Sequence, residues 1–236
     1  MKRSSLFPSR AFTRSFFITF IIATSFVFSD LPPGSATTLI YKNLSDLATE
    51  ATKIALVKVT KVEGVHSDKH WTIYTYVTCI ASDVVKGTVP LQTPFLLRFE
   101  GGSVGKSGLY IPSMPQFQVE EKYILFIRNM HVRRCPIVGW EQGVFRIQQD
   151  SQTGREIVLD RLGRKVLAVV GGEVVAKKDT EISPQETPMS PEEFLTAVVG
   201  LIPQPSPSVE QGQEDPLILE PEQFPPPKDG AASESL

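Results

Sequence analysis

The chain has 236 residues, nearly balanced in charge, with 24 Lys/Arg against 26 Asp/Glu and only two cysteines. That balance excludes the dense positive surface on which nucleic-acid binding depends. Two thiols alone also fall short of a zinc ligand set, so no metal or other cofactor is expected.

Residues 1–36 have the layout of a secretory signal peptide. Lys2, Arg3, Arg10 and Arg14 precede any acid, and an apolar core runs from Phe16 to Phe28. Leu31-Pro32-Pro33 then breaks the chain, and Gly34-Ser35-Ala36 supplies small side chains for cleavage. The apolar core is shorter than the ~20 residues of a membrane span. Cleavage after Ala36 removes four Lys/Arg and one acid, leaving 20 basic against 25 acidic residues. A mature chain starting near Thr37 is thus acidic, which disfavours nucleic acid and anionic lipid alike. The expected location is the periplasm or the medium, with no stable membrane anchor. In that oxidising setting Cys79 and Cys135 predict one disulfide, worth roughly 4 kcal/mol on chain-entropy grounds.

Residues 38–53 predict a short helix, with Leu44, Leu47, Ala48 and Ala51 on one face and Asn43 or Ser45 as cap. Ile54 to Val62 alternates in its second half and predicts a half-buried strand. Residues 63–70 are polar and predict a loop or hairpin turn. Trp71 to Val85, rich in β-branched and aromatic residues, predicts a second strand ended by Lys86-Gly87. Phe95–Phe99 gives a third. Residues 101–118 hold four glycines and two prolines with no periodicity, and predict a long loop of the kind that is often functional. Strands resume at Tyr123–Ile127 and Val144–Ile147, with further strands at Ile157–Leu159 and Val166–Val170, as a hairpin, before a turn at Gly171-Gly172. Ser190-Pro191-Glu192-Glu193 opens a helix with a capping box, and Phe194, Leu195, Val198 and Ile202 form its apolar stripe. From Pro203 onward there are eight prolines, many Glu/Gln and almost no aromatics, a composition that predicts a disordered tail over 203–236.

The reading is therefore a mainly β chain. It has a signal peptide over 1–36 and one small antiparallel barrel of the oligonucleotide/oligosaccharide-binding (OB) type over 37–202, with flanking helices and a disordered tail.

Most chemical motifs fail on inspection. Gly101 to Ser107 mimics a phosphate loop, but the required first glycine falls on Glu100 and no helix follows. His66 and His70 have zinc-like spacing but no third ligand nearby, and His131 sits among Arg128, Arg133 and Arg134. No Gly-x-Ser-x-Gly elbow is present. Cys–His catalysis needs one cysteine to stay free. No catalytic residue is assigned. Trp71, Tyr110 and Trp140 are candidates for a binding surface or for core. The 101–118 loop is the candidate recognition element, through Gly101, Gly102, Leu109, Tyr110, Met114 and Phe117. Its alternative is to fold back and cap the barrel.

A series of short motifs resembles a family of exported bacterial proteins, mostly uncharacterised. It begins with Asp46-Leu47-Ala48 and Ala51, then Ile54-Ala55-Leu56-Val57 and Val59, Ile73 to Thr78, and Asp83 to Gly87. It continues with Phe99-x-Gly101-Gly102, Pro115-x-Phe117, Tyr123-x-Leu125-Phe126 and Gly139-x-x-Gln142-Gly143-x-Phe145. Some members of that family occur beside secreted matrixin-type metalloproteases. The order of elements is also similar to the netrin-like domain, the barrel of tissue inhibitors of metalloproteinases. This resemblance implies a barrel and a protein partner. It does not transfer the inhibitors' mechanism, because no cysteine stands at the expected mature start. Two positions depart from the bacterial pattern: Glu120-Glu121 replaces a Gly-Glu turn, and Ser113 replaces a glycine.

The expected function is an exported, non-catalytic binding module for an extracellular or envelope protein, such as a secreted metalloprotease. The alternatives are a hydrolase using carboxylates near the 101–121 loop, or a structural envelope protein.

Overall fold

The computed structural model describes residues 39–67, 71–128, 134–151 and 153–203. The expected signal peptide and all of the expected tail after Pro203 lie outside the described residues, as do His70 and His131.

Helix α1, Leu44–Glu50, is held at its start by a reciprocal cap. The Asp46 N–H donates to the Asn43 side chain, and the Asn43 N–H donates to the Asp46 carboxylate. It stops well short of residue 53 because Ala51 is extended. The Lys86 ammonium donates to the Ala48 and Thr49 carbonyls, satisfying the helix's open end. Helix α2, Pro191–Leu201, starts where the sequence predicts, with Ser190 as cap, and buries Phe194, Leu195 and Val198.

Ten strands are present among the described residues. In chain order they are β1 Lys53–Ser67, β2 Thr72–Lys86, β3 Pro94–Glu100, β4 Gly102–Val104, β5 Ser107–Leu109, β6 Lys122–Ile127, β7 Val144–Gln149, β8 Glu156–Leu159, β9 Lys165–Val170 and β10 Glu173–Lys177. β1 runs to Ser67, so most of the polar stretch predicted as a loop is strand. Eight strands form one antiparallel sheet in the order β10-β9-β8-β7-β6-β1-β2-β3, and β4-β5 is a separate hairpin. The β8–β9 connection is not a regular hairpin, for only Leu159 and Lys165 pair directly. Met189 is wedged in the gap instead, donating its N–H to Val166 and accepting from Val158 N–H.

The expected closed barrel is not what the described strands form. The eight-stranded sheet ends at β3 on one side and β10 on the other, and among the described residues no pairing joins these two edges. The end of β6 and the end of β3 are joined instead by a non-strand strap, residues 134–138. Glu100 N–H donates to the Arg134 carbonyl at 2.8 Å, Arg128 N–H to Pro136 at 2.6 Å, and Val138 N–H to Phe126 at 2.9 Å.

The sheet carries a core on each face. Bulges in the β1–β2 ladder at Ile54/Ala55, Leu56/Val57 and Val59/Lys61 accompany the first core. It contains Ala55, Val57 and Val59 of β1, Val77, Cys79 and Ala81 of β2, and Phe95, Leu97 and Phe99 of β3. Tyr123, Leu125 and Ile127 of β6 and Ile137 of the strap complete it. The second core lies against the opposite face, where both helices pack Leu44, Leu47, Phe194 and Val198 on Ile54, Ile124, Phe126, Phe145 and Val158. The ring of Phe145 lies between those of Phe126 and Phe194, with centroids 5.7 and 4.7 Å apart.

The expected disulfide is also absent. Cys79 and Cys135 are both free, buried thiols of the first core. The register explains why they do not bond. Cys135 follows Arg134, whose carbonyl meets Glu100, and Glu100 pairs with Tyr74. Cys79 lies five residues further along β2, ~16 Å at strand rise, whereas bridged cysteines need Cα atoms within about 7 Å.

Candidate functional site

The 101–118 segment divides into two parts with different fates. Residues 102–109 form the β4–β5 hairpin, which crosses the ends of β1 and β2 at very close range. A Cβ on Gly64 would stand 2.0 Å from the Ser103 carbonyl oxygen, and one on Gly102 would stand 2.0 Å from Thr75 Oγ1. Glycine alone admits this crossing, and Gly102 also has φ of +117°. The hairpin is tied down where Gly101 N–H donates to the Ile73 carbonyl at 2.7 Å and the Thr75 hydroxyl donates to the Gly101 carbonyl at 2.7 Å.

Residues 111–118 turn inward and cover one end of the first core. Met114 is buried, and Phe117 sits between Phe99 and Tyr123 with ring centroids at 5.0 and 5.1 Å. Tyr123 organises the exit. Its hydroxyl donates to Glu121 Oε2 at 2.6 Å and accepts from Gln118 N–H at 3.1 Å. Burial and the Glu121 hydrogen bond both push the Tyr123 phenol far above its ordinary range.

The six residues expected to recognise a partner are therefore not gathered on one surface. Met114 is buried and Phe117 is half-buried against the first core, its ring held between Phe99 and Tyr123. Gly101 is buried and Gly102 half-buried beneath the hairpin. Leu109 and Tyr110 remain outside, Tyr110 with 82% of its surface exposed. A second aromatic stands at the same end of the sheet. Trp71, at the β1–β2 turn, is 90% exposed and lies two residues before Ile73, the residue that anchors Gly101. Trp140, the third candidate, packs against the first core. Beside Tyr110, Glu100, the hairpin and Met114 line a cleft of about 530 Å³ with few charged groups.

Ser113 and Glu120 have left-handed backbone, at φ +61° and +72°. The Glu120 N–H donates to the Val59 carbonyl at 2.8 Å and Val59 N–H to the Glu121 carbonyl at 3.0 Å, so the strained turn closes onto β1.

The carboxylates of this region are all occupied by cations. Glu100 pairs with Arg134, Glu120 with Lys58, and Glu121 with Tyr123 and, at 3.8 Å, Arg146. A second, polar cleft of about 360 Å³ brings Glu121, Tyr123 and Arg146 together with Glu141 and Arg161, which also pair with each other. No group of three or more metal-ligating side chains occurs among the described residues. Burial pushes both thiols up to about 12, so neither is an available nucleophile near neutral pH.

Gln142, named in the sequence only as part of the Gly139–Phe145 motif and given no role there, has a clear structural one. It is buried, accepts from Lys42 N–H at 2.9 Å and donates to the Ile40 carbonyl at 3.0 Å, fixing residues 40–42. Its flanking glycines are the signal that marks it. Gly139 adopts φ +63°, and a Cβ on Gly143 would meet the Val138 carbonyl at 2.3 Å. The motif around Gly139–Phe145 is thus architectural.

No helix among the described residues is long and apolar enough to cross a membrane. Compared with family models, curated proteins and solved structures, the chain matches none.

Proposed function

We propose that this chain is an exported binding module that engages a protein of the cell envelope or the medium through the hairpin end of its sheet. The observation that carries this reading is a pair of large exposed aromatic side chains at the hairpin end of the sheet, Trp71 at the β1–β2 turn and Tyr110 at the base of the β4–β5 hairpin, with Leu109 next to Tyr110. Exposed aromatic side chains grouped on a rigid support are the usual anchors of protein interfaces. Glu100, the carboxylate that lines the cleft beside Tyr110, pairs with Arg134. The motif resemblance supports a partner in an exported setting, and a secreted metalloprotease is the specific candidate. The signal-like N-terminus supports a mature chain beginning near Thr37.

The test is affinity capture from native envelope and medium, with wild type compared against Trp71→Ser/Tyr110→Ser. Loss of a captured protein at unchanged thermal stability is the expected result. Capture that survives both substitutions would place recognition elsewhere on the molecule.

A further inference from the structure

The two edges of the eight-stranded sheet are unlike each other. The β3 edge opens with Pro94 and is crossed at Glu100 by the strap carbonyl of Arg134, both devices that block further strand addition. The β10 edge has neither. The Gly171-Gly172 turn, with φ of +60° and +82°, joins β9 to β10 in a two-residue hairpin. Glu173 faces Val170 across that turn, so its backbone groups point at β9. The alternation then turns the N–H and C=O of Val174 and Ala176 outward, and among the described residues no backbone partner meets them. The irregularity at Val175/Ala176 takes its extra residue, Leu167, from β9, so the period of β10 is unbroken.

The sequence of this edge, Glu173-Val174-Val175-Ala176-Lys177, is complementary to itself when reversed. We infer that β10 pairs antiparallel with β10 of a second copy of this chain about a two-fold axis at Val175, extending the sheet across both molecules. Val174 then lies opposite Ala176 of the second copy, and these are the residues whose amides and carbonyls face outward, so the ladder closes with no unpaired group between them. Val175 lies opposite Val175, and Glu173 opposite Lys177, twice over. These are non-hydrogen-bonded positions, where cross-strand side chains approach most closely. On the same face Val175 is 40% exposed and Val170 63% exposed, an apolar strip that the second copy would continue. Glu173 and Lys177 already have local side-chain partners, the exposed Tyr41 hydroxyl and Glu186. A twofold contact of one patch with itself closes at two copies and does not propagate.

The test is the oligomeric state of the purified chain by sedimentation velocity over about 1 µM to 1 mM, alongside thermal stability. Wild type is expected to show a concentration-dependent dimer. Ala176→Pro removes an N–H that faces solvent in the monomer, so it should abolish the dimer and keep the monomer's melting temperature. Lys177→Glu sets like charges opposite each other at two places and should weaken association about tenfold. Glu173→Lys/Lys177→Glu restores the pairing and should recover it. If Ala176→Pro does not fold, the charge pair decides alone. A wild-type chain that is monomeric throughout would overturn the inference. So would a dimer unaffected by Lys177→Glu, or one not recovered in the double variant.

Discussion

Gly64→Ala is the sharpest probe of how the hairpin end is built. Gly64 lies inside β1 without a left-handed backbone, so alanine brings no conformational strain there and acts only through its methyl group. That methyl would sit 2.0 Å from the Ser103 carbonyl oxygen, 3.0 Å from the Ser103 carbonyl carbon and 3.2 Å from Val104 Cγ2. Two of the three neighbours are backbone, so the β4–β5 hairpin must lift by more than about 1 Å. Lifting it loosens the Gly101–Ile73 hydrogen bond and the seating of Gly102 on Thr75. Overpacking of this kind costs about 1–3 kcal/mol, equivalent to a melting temperature lower by about 6 °C in a chain of this size. Gly108→Ala is the matched control, because its Cβ would meet only the Gly102 carbonyl oxygen at 3.8 Å. Urea unfolding gives the global effect, and amide hydrogen exchange over residues 101–109 gives the local one. Close seating of the hairpin would be refuted if Gly64→Ala matched Gly108→Ala in both measurements.

Other substitutions probe the remaining features. Ser113→Gly and Glu120→Gly should each stabilise the fold by about 0.5–1 kcal/mol in thermal melts, since both positions hold a left-handed backbone that penalises a side chain. The exposed Lys58–Glu120 pair lost with Glu120 subtracts little. Phe194→Ala removes a fully buried ring stacked on Phe145 and should cost about 3–5 kcal/mol in denaturant unfolding. Burial pushes both thiols up to about 12 in the folded chain, against ~8.5 in the unfolded one. Each therefore adds stability below its unfolded pKa, and that stability falls as pH rises from about 9 towards 12. A Cys79→Ala/Cys135→Ala variant should lose stability less steeply over that range, and an equal slope would show that the thiols are not protected. In alkylation without reductant, both thiols should be unreactive in the native chain and both reactive in urea; two thiols that stay blocked in urea would reveal a bridge.

Strands are legible where side chains alternate or where β-branched and aromatic residues concentrate, as in Ile73–Val77 and Tyr123–Ile127. The Ser190 cap with Pro191 and Glu193 marks its helix for the same local reason. The features that escape a sequence reading are long-range or carried by the backbone. The β4–β5 hairpin has glycine at 102, 105 and 108, so it shows no side-chain period for a strand. β10 is only five residues long, and its Val174-Val175-Ala176 run is too short to display an alternation of its own. Barrel closure depends on whether the edge strands β3 and β10 meet, and strand composition is the same either way. In the 101–118 loop, Met114 and Phe117 are as apolar as Leu109 and Tyr110, so composition does not separate those that face the core from those that face outward. Only the position of Phe99 and Tyr123 in the fold separates inside from outside. The cysteine pairing rests on compartment and on both thiols bordering predicted strands, while register keeps them apart.

β1 and β6 form the common wall of both cores, with Ile54 facing one interior and Ala55 the other. Their partners are remote in the chain, Lys53 meeting Ile127 and Lys58 meeting Lys122. The second interior also needs α1, which precedes β1, and α2, which lies beyond β10. A growing chain therefore completes β1–β3 long before either interior is sealed, and the last helix is required to shut the second one. Assembly of this kind is slow for its length and leaves the apolar side of β1 and β6 open until late. The first interior, built from β1, β2, β3, β6 and the strap, can close before the C-terminal helix is made, so the second interior is the last part of the fold to be sealed.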